Sequence, residues 1–182
     1  ESLPLHVSRA VLAAEDRAFY SHTGFSPIGI VRAMVANLTS NSLQGASTIT
    51  QQYAKNAYLT QDRTWQRKAR ELVLAIRVEV ESDKEQIHEN YLNTVYFGRN
   101  TYGIQTAALA YFGRDAADLT VEQAAVLAAI LRSPGTYSPD VDMERLTGRW
   151  TYVLDAMVEE GWMSAAERAN AQFPRIRPRS EN

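Results

Sequence analysis

The chain has 182 residues, of which 45% are hydrophobic and 22% charged, and its formal net charge is −2. This length and composition predict one globular domain, or one domain with a small lobe, and a substantial buried core. A charge this close to neutral does not indicate nucleic-acid binding, and the absence of cysteine excludes disulfides and thiolate metal sites. All apolar runs are shorter than the roughly 20 residues that a membrane-spanning helix needs.

Helical signals follow one another through the first half of the chain. An amphipathic pattern predicts a first helix through VLAAEDRAFYSH (11–22), and a Ser-Pro pair (26–27) begins a second. The small polar residues of TSNSLQGAS (39–47) predict a loop, whose last serine caps a helix over TITQQYAKNAYL (48–59). A long helix follows in RKARELVLAIRVEVE (67–81).

The second half of the chain has clearer boundaries. Three capping-box pairs predict helix starts: Ser82 with Glu85, Thr120 with Gln123, and Ser164 with Glu167. Gly113 and Gly161 mark helix ends, and SPGTYSP (133–139) predicts a turn. The sequence therefore predicts an all-α domain over residues 1–173 and a tail at 174–182 that begins a linker.

Glu15 is unusual because it falls inside the apolar stripe of the first predicted helix. At about 100° per residue, Val11, Leu12, Phe19 and His22 lie on the same face as Glu15. A surface helix normally keeps charge off the face that meets the core, because an unpaired buried carboxylate is costly. Glu15 is therefore either a structural acid paired with an Arg or Lys elsewhere, or a base that faces a cleft.

A second acid, Glu71, shares a polar stripe of the long helix with Lys68 and Glu79, and apolar residues border this stripe on both sides. Such a pattern is typical of a buried helix that lines a wet cleft. The alternative is a surface salt bridge between Lys68 and Glu71, which stabilises a helix by only about 0.2–0.5 kcal/mol. The spacing by itself leaves both interpretations open.

Hydroxyl and amide groups are concentrated in GASTITQQYAKN (45–56) beyond what a helix cap requires. Free N–H groups at helix N-termini bind phosphate, and Thr and Gln are suitable hydrogen-bond partners for sugars. From Lys55 to Glu71 there are five cations and two acids. This local basic patch favours a multiply charged anion such as pyrophosphate, and a polar surface turn followed by a solvated charged face is the alternative.

Five segments of the sequence are similar to the motifs of one known family. They are EDRAFYSHTG (15–24), GASTITQQ (45–52), RKARE (67–71), DKEQIHENYLNTVYFG with YGIQTAALAYFG (83–113), and LAAILRSPGTYSP (127–139). In type and order they resemble the motifs of the peptidoglycan glycosyltransferases, glycosyltransferase family 51. This family comprises the N-terminal domain of class A penicillin-binding proteins and the monofunctional transglycosylases. The resemblance implies an all-α, lysozyme-like large lobe with a smaller, membrane-facing jaw lobe.

The resemblance also implies a reaction, the polymerisation of lipid II into β-1,4-linked glycan strands. Glu15 resembles the general base that takes the proton from the 4-hydroxyl of the acceptor N-acetylglucosamine, whose oxygen attacks C1 of the donor N-acetylmuramic acid. Undecaprenyl pyrophosphate then leaves with inversion, and Glu71 resembles the second catalytic acid. The implied substrate-binding residues are Asp16, Phe19, His22, Ser47, Thr48, Thr50, Gln51, Gln52, Lys55, Arg63, Arg67, Lys68 and Asn93.

The expected partners are lipid II, the growing glycan strand and the membrane surface, at the outer face of the bacterial cytoplasmic membrane. No cofactor is required, although a divalent cation at the pyrophosphate is compatible with the family, and no metal-binding residues or nucleic-acid partner are predicted. A membrane anchor before the chain and a transpeptidase domain after it are expected in a full-length protein.

Two other functions fit parts of the sequence. A lysozyme-like glycan hydrolase also uses two carboxylates in a helical cleft, and a catalytically silent domain could bind glycan or serve as a scaffold. The basic, STITQQ-bearing segment argues against the hydrolase, and the presence of both acids argues against the silent domain.

Overall fold

The structure, a computed structural model, describes residues 3–17, 19, 49–58, 74, 75, 78 and 82–179, with the backbone alone at residues 55–58. The chain divides into two compact units. The first unit joins residues 1–17 to residues 95–182, and the second, smaller unit consists of residues 18–94.

Every regular element in the described ranges is a helix. In chain order they are α1 (Leu5–Glu15), α2 (Ile49–Tyr58), α3 (Lys84–Thr94), α4 (Ile104–Phe112), a 3₁₀ helix (Ala116–Asp118), α5 (Val121–Leu131), α6 (Met143–Glu159) and α7 (Ala165–Asn170). Extended pairing within these ranges is limited to one antiparallel bridge between Tyr96 and Tyr102. The prediction of an all-α domain is confirmed. Of the helices described, none is long and apolar enough to cross a membrane.

Helix α5 forms the centre of the first unit. Its residues from Ala124 to Leu131 are all buried, as expected for a helix surrounded by others. Helices α1, α4 and α6 pack against it, and α1 also packs against α6. Helix α6 is amphipathic and buries a face that includes Leu146, Trp150 and Leu154. The helix that ends at Glu15 is therefore held between two core helices.

Two of the three predicted capping boxes are confirmed. The Thr120 hydroxyl accepts from the Gln123 amide at 3.3 Å, and the Gln123 side chain accepts from the Thr120 amide at 3.0 Å. The box at the start of α7 is formed in the same way by Ser164 and Glu167. Gly161 follows the end of α6, as predicted, with a φ of +71° that favours glycine.

The third capping box, Ser82 with Glu85, is wrong by one residue. Helix α3 begins at Lys84, and the capping group is the carboxylate of Asp83, which accepts from the Gln86 amide at 2.8 Å. Asp and Ser are about equally favourable at a helix N-cap. The sequence alone therefore does not decide whether Ser82 or Asp83 caps the helix.

The predicted turn at 133–139 is confirmed, since the amides of Thr136 and Tyr137 both donate to the Ser133 carbonyl, at 2.9 and 2.8 Å. A second turn, which the sequence analysis did not predict, reverses the chain between Val95 and Gly103. Its tip contains the consecutive positive-φ residues 99 and 100, at +50° and +59°.

The Arg99 side chain holds this second turn against the rest of the first unit. Its guanidinium forms two hydrogen bonds to the Asp140 carboxylate, at 2.8 and 2.7 Å, and lies 4.4 Å from the centre of the Tyr111 ring. It also donates to the carbonyl of Arg177 at 2.9 Å. The amide of Arg177 in turn donates to the Tyr111 carbonyl at 2.8 Å, so the chain packs on this unit as far as residue 177. The boundary between residues 173 and 174 stays a prediction.

In the second unit, α2 packs against α3, whose residues Ile87, Tyr91 and Leu92 are buried. Leu74, Ala75 and Val78 are helical, as the long-helix prediction requires. The rest of that helix, the helix predicted after the Ser-Pro pair and the predicted loop at 39–47 lie outside the described residues.

Candidate active site

Glu15 is the last residue of α1, and the packing of α1 determines where its carboxylate lies. The four residues before it, 11–14, are buried against the core of the first unit. The Glu15 side chain itself is half-buried, and its Oε1 atom is inaccessible to solvent. A side chain at the end of a well-packed helix has a defined starting point, and part of the Glu15 side chain is accessible to solvent.

The predicted first helix ends at Glu15, so the predicted apolar stripe is wrong for the described residues 16, 17 and 19. Asp16 has an extended backbone (φ −161°, ψ 80°), and its amide makes the last helical hydrogen bond, to the Leu12 carbonyl at 2.9 Å. Asp is a poor helix former, because its side chain competes for backbone hydrogen bonds. Phe19 therefore does not continue the face of α1 and belongs to the second unit. His22 lies outside the described residues.

An arginine from α6 holds the end of α1. The Nη2 atom of Arg149 donates to the Ala14 carbonyl at 2.8 Å, and the guanidinium lies 4.4 Å from the centre of the Tyr152 ring. Cations stabilise helix C-termini, because the last carbonyls carry partial negative charge. Arg149, which is 135 residues away from Ala14 along the chain, is not among the predicted site residues. No local signal connects the two.

In the second unit, Phe19 is 1% exposed, and two residues of α3 contact its ring. The Lys84 Nζ atom lies 4.4 Å from the ring centre, and the His88 ring centre lies 6.0 Å from it. Lys84 and His88 are four residues apart and therefore share one face of α3. Burial lowers the pKa of His88 to about 4, so its imidazole is neutral at pH 7. Helix α3 thus anchors the chain four residues after Glu15.

Two polar residues of α2 are buried. Thr50 is 0% and Gln51 is 2% exposed, which excludes a polar surface turn as the explanation of these two residues. Gln52 accepts a hydrogen bond of 2.9 Å at its side-chain oxygen from the hydroxyl of Tyr91 on α3. Tyr91 is not among the predicted site residues, although it lies within one of the five motif segments.

Several predicted site residues lie outside the described residues: Ser47, Thr48, Arg63, Arg67, Lys68 and Glu71. For Lys55 the structure gives the helical backbone alone. Asn93 is exposed in the last turn of α3, and Asp16 is half-buried directly after α1. The functions assigned to these residues stay predictions.

Within the described ranges, no three side chains of His, Cys, Asp or Glu are grouped so that they could hold a metal ion. The divalent cation that the resemblance allows at a pyrophosphate stays a prediction.

A comparison with protein families gives a match over most of the chain. The family model described as Transglycosylase matches residues 1–158. The chain belongs to this transglycosylase family. This match agrees with the family that the five motif segments resemble.

The transglycosylase domain is similar to parts of several penicillin-binding proteins. Penicillin-binding protein 1A of Mycobacterium tuberculosis is 47% identical over 188 residues, which cover 99% of this chain and 23% of that protein. Penicillin-binding protein 1A of Aquifex aeolicus is 42% identical, with 100% and 25% covered. Penicillin-binding protein 1F of Bacillus subtilis is 42% identical, with 93% and 24% covered. The chain thus spans about a quarter of the length of these curated relatives.

A solved structure, the crystal structure of penicillin-binding protein 1A from Haemophilus influenzae, is also similar. It superposes with a TM-score of 0.50 at 29% sequence identity, over 57% of this chain and 16% of that chain. The predicted lysozyme-like helical class and the predicted family are confirmed. The domain is therefore a peptidoglycan glycosyltransferase.

Proposed function

We propose that this transglycosylase domain polymerises lipid II into β-1,4-linked glycan strands. Glu15 takes the proton from the 4-hydroxyl of the acceptor N-acetylglucosamine. The oxygen attacks C1 of the donor N-acetylmuramic acid from the face opposite the leaving group, so the configuration at C1 inverts. Undecaprenyl pyrophosphate departs with the bonding electrons.

The position of Glu15 is the observation that supports this function best. A general base must lie within hydrogen-bond reach of the proton it removes, and a small misplacement lowers the rate strongly. Glu15 ends a helix that packs against two core helices, and its side chain is half-buried. This arrangement limits the movement of the carboxylate and leaves it partly accessible to a substrate hydroxyl.

Residues of the other motif segments supply the remaining groups in this proposal. Thr50, Gln51 and Gln52 hydrogen-bond sugar or phosphate oxygens, and Tyr91 orients the amide of Gln52. Glu71 orients the substrate, and the cations between Lys55 and Lys68 stabilise the departing pyrophosphate. Because this leaving group is already a stabilised anion, cations are more useful to the reaction than a strong general acid.

The proposal extends to the protein of which the domain is a part. Lipid II is anchored in a membrane, so the domain works at the outer face of the bacterial cytoplasmic membrane and its smaller lobe faces the bilayer. The lengths of the penicillin-binding relatives support a further domain in a full-length protein, and a transpeptidase is the proposed one. A divalent cation at the pyrophosphate is an optional part of the proposal.

Incubation of the domain with labelled lipid II, followed by gel separation of the glycan strands, tests this function. The variants are Glu15→Gln, which keeps the shape of the side chain, and Glu144→Gln as a control. Glu144 is exposed in the first turn of α6. The expected result is strand formation by the wild-type domain and by Glu144→Gln, and a loss of about 10²- to 10⁴-fold in Glu15→Gln.

Each other outcome identifies a different function. Cleavage of preformed strands with uptake of water, without polymerisation, would identify a lysozyme-like hydrolase. Binding of strands without turnover would identify a silent glycan-binding domain. Polymerisation at the wild-type rate by Glu15→Gln would mean that another residue is the base.

A further inference from the structure

Helix α6 holds the chain on both sides of the acidic pair Glu15 and Asp16. Before the pair, the Arg149 guanidinium donates to the Ala14 carbonyl at 2.8 Å. After the pair, the Arg17 guanidinium forms an ion pair with Glu159 and a hydrogen bond to the hydroxyl of Tyr152. All these residues belong to the first unit. The two residues between the anchors can therefore move little relative to α6.

The two anchors differ in environment. Glu159 is 65% exposed in its side chain, and ion pairs of this kind at a surface contribute little. Ala14 is only 8% exposed, so its carbonyl needs a partner from the protein. Ala14 lies in the last turn of α1, where the carbonyls of a helix lack intrahelical partners. Arg149 supplies this partner, which makes it the stronger of the two anchors.

The Arg149 side chain is held in a defined orientation. Its guanidinium stacks on the ring of Tyr152, three residues later on the same face of α6. Its Nε–H is buried and has no acceptor among the residues that the structure describes. A buried donor without an acceptor is unfavourable. Arg149 is nevertheless present here, and the Tyr152 ring holds its guanidinium in the orientation that reaches the Ala14 carbonyl.

We infer that Arg149 is a positioning residue for Glu15. It acts through the Ala14 carbonyl: by fixing the residue directly before Glu15, it fixes the point at which the carboxylate leaves the helix. The inference rests on the proposed function of Glu15 as the general base. Loss of this anchor lowers the rate of the chemical step more than it weakens substrate binding, because proton removal requires an accurately placed base.

Steady-state kinetics of lipid II polymerisation by three variants test this inference. Arg149→Met keeps the length of the side chain and removes the donor. Arg149→Lys restores one donor without the planar stacking on Tyr152. Arg145→Met is the matched control, because Arg145 lies one turn earlier on α6 with a 65% exposed side chain. Rates are divided by the folded fraction of each variant, and hydrogen exchange of the Asp16 amide, which ends α1, is measured in parallel.

We expect Arg149→Met to lower kcat by at least 10-fold, with KM changed by less than threefold, and to accelerate exchange of the Asp16 amide. Arg149→Lys should recover part of kcat, and Arg145→Met should behave as the wild type. A wild-type kcat in folded Arg149→Met would overturn the inference, as would a loss confined to KM. If Arg149→Met does not fold, kcat and amide exchange of Arg149→Lys test the inference instead. A lower kcat with faster exchange supports the inference, and wild-type values of both overturn it.

Glu15→Gln, assayed beside these variants, separates the two hypotheses. If Glu15→Gln is active, Glu15 is not the base and the proposed function of this residue fails. If Glu15→Gln is inactive and Arg149→Met has the wild-type kcat, only the positioning role of Arg149 fails.

Discussion

The hydroxyl of Tyr91 donates a hydrogen bond of 2.9 Å to the side-chain oxygen of Gln52 and thereby joins α3 to α2. Tyr91 is fully buried, whereas Gln52 is half-buried. A side-chain amide that accepts at its oxygen has its NH₂ group directed by that bond. If this amide binds substrate, as proposed, Tyr91 sets the orientation in which it does so.

The first prediction concerns this bond. Tyr91→Phe should lower the free energy of unfolding by about 0.5–1.5 kcal/mol, because it removes one hydrogen bond and leaves the packing intact. It should also raise KM for lipid II, since Gln52 loses its orientation. Urea denaturation and polymerisation kinetics measure the two effects. Tyr102→Phe, at a 64% exposed tyrosine, is the control. An unchanged KM in Tyr91→Phe would show that the orientation of Gln52 does not matter for the substrate.

His88 makes the second unit sensitive to acid. Burial holds its pKa at about 4, below the value of about 6.5 in an unfolded chain. Between these values the unfolded state binds more protons, so this contribution to stability is complete above pH 6.5 and is lost as the pH falls towards 4. For one group with this difference in pKa the full loss is on the order of 3 kcal/mol.

The second prediction follows from this titration. The free energy of unfolding of the wild type should fall more steeply between pH 7 and pH 4 than that of His88→Gln, which has no imidazole at this position. Denaturant unfolding at pH 7, 5.5 and 4 gives the difference between the two proteins. His6→Gln, which replaces a half-buried histidine of the first unit, is the control. If the free energy of unfolding falls equally steeply with pH in the wild type and in His88→Gln, the prediction is wrong.

Asp140 makes a second contribution to stability that is lost in acid, at a lower pH than that of His88. Its hydrogen bonds to the Arg99 guanidinium hold the pKa of the carboxyl below its usual value, although its partial burial acts in the other direction. A carboxyl with a lowered pKa stabilises the fold above the unfolded pKa of about 3.9, and this contribution is lost as the pH falls through the folded pKa.

The third prediction is that Asp140→Asn destabilises the domain at pH 7 by about 1–3 kcal/mol, because it leaves the 6% exposed Arg99 side chain without its carboxylate. The difference from the wild type should shrink at pH 3, where the Asp140 carboxyl loses part of its charge. Urea denaturation at both pH values measures it, and Asp118→Asn, at an exposed residue, is the control. A pH-independent difference would mean that the ionic part of the contact does not contribute.

Local features of this fold could be predicted from the sequence, and long-range contacts could not. The caps at Thr120 and Ser164 depend on residues three positions apart, so the sequence contains the whole signal. The cap at Asp83 was missed by one position because Ser82 is an equally good candidate. The end of α1 at Asp16 was missed because the apolar pattern continues past it, and the contact of Ala14 with Arg149, 135 residues away, has no local signal.

The same distinction applies to the site. The pattern around Glu15 indicated an acid in an apolar setting, and the polar density of TITQQ indicated more than a cap. The burial of Thr50 and Gln51 agrees with the second indication. Tyr91 and Arg149 reach their partners through tertiary packing, over 39 and 135 residues, and no periodicity in the sequence encodes such pairs.

The last prediction concerns the basic segment and rests on its sequence. Lys55 lies one turn after Gln51 and Gln52 on α2, and Lys68 precedes Glu71 by three residues. If both lysines stabilise the departing pyrophosphate, the interaction is stronger in the transition state than in the ground state. Lys55→Ala and Lys68→Ala should then lower kcat as well as the affinity for lipid II. Charge on a solvated face would change little besides the salt dependence.

Steady-state kinetics of the two variants at low and moderate salt measure these effects, and Arg145→Ala, which removes an exposed cation of α6, is the control. Because screening weakens exposed charges most, a kcat defect that persists at moderate salt assigns the lysine to the reaction. Wild-type kcat and KM in both variants at both salt concentrations would exclude these lysines from the pyrophosphate site. A defect in only one variant would assign the leaving group to that lysine alone, since the two lie on different predicted helices and are tested independently.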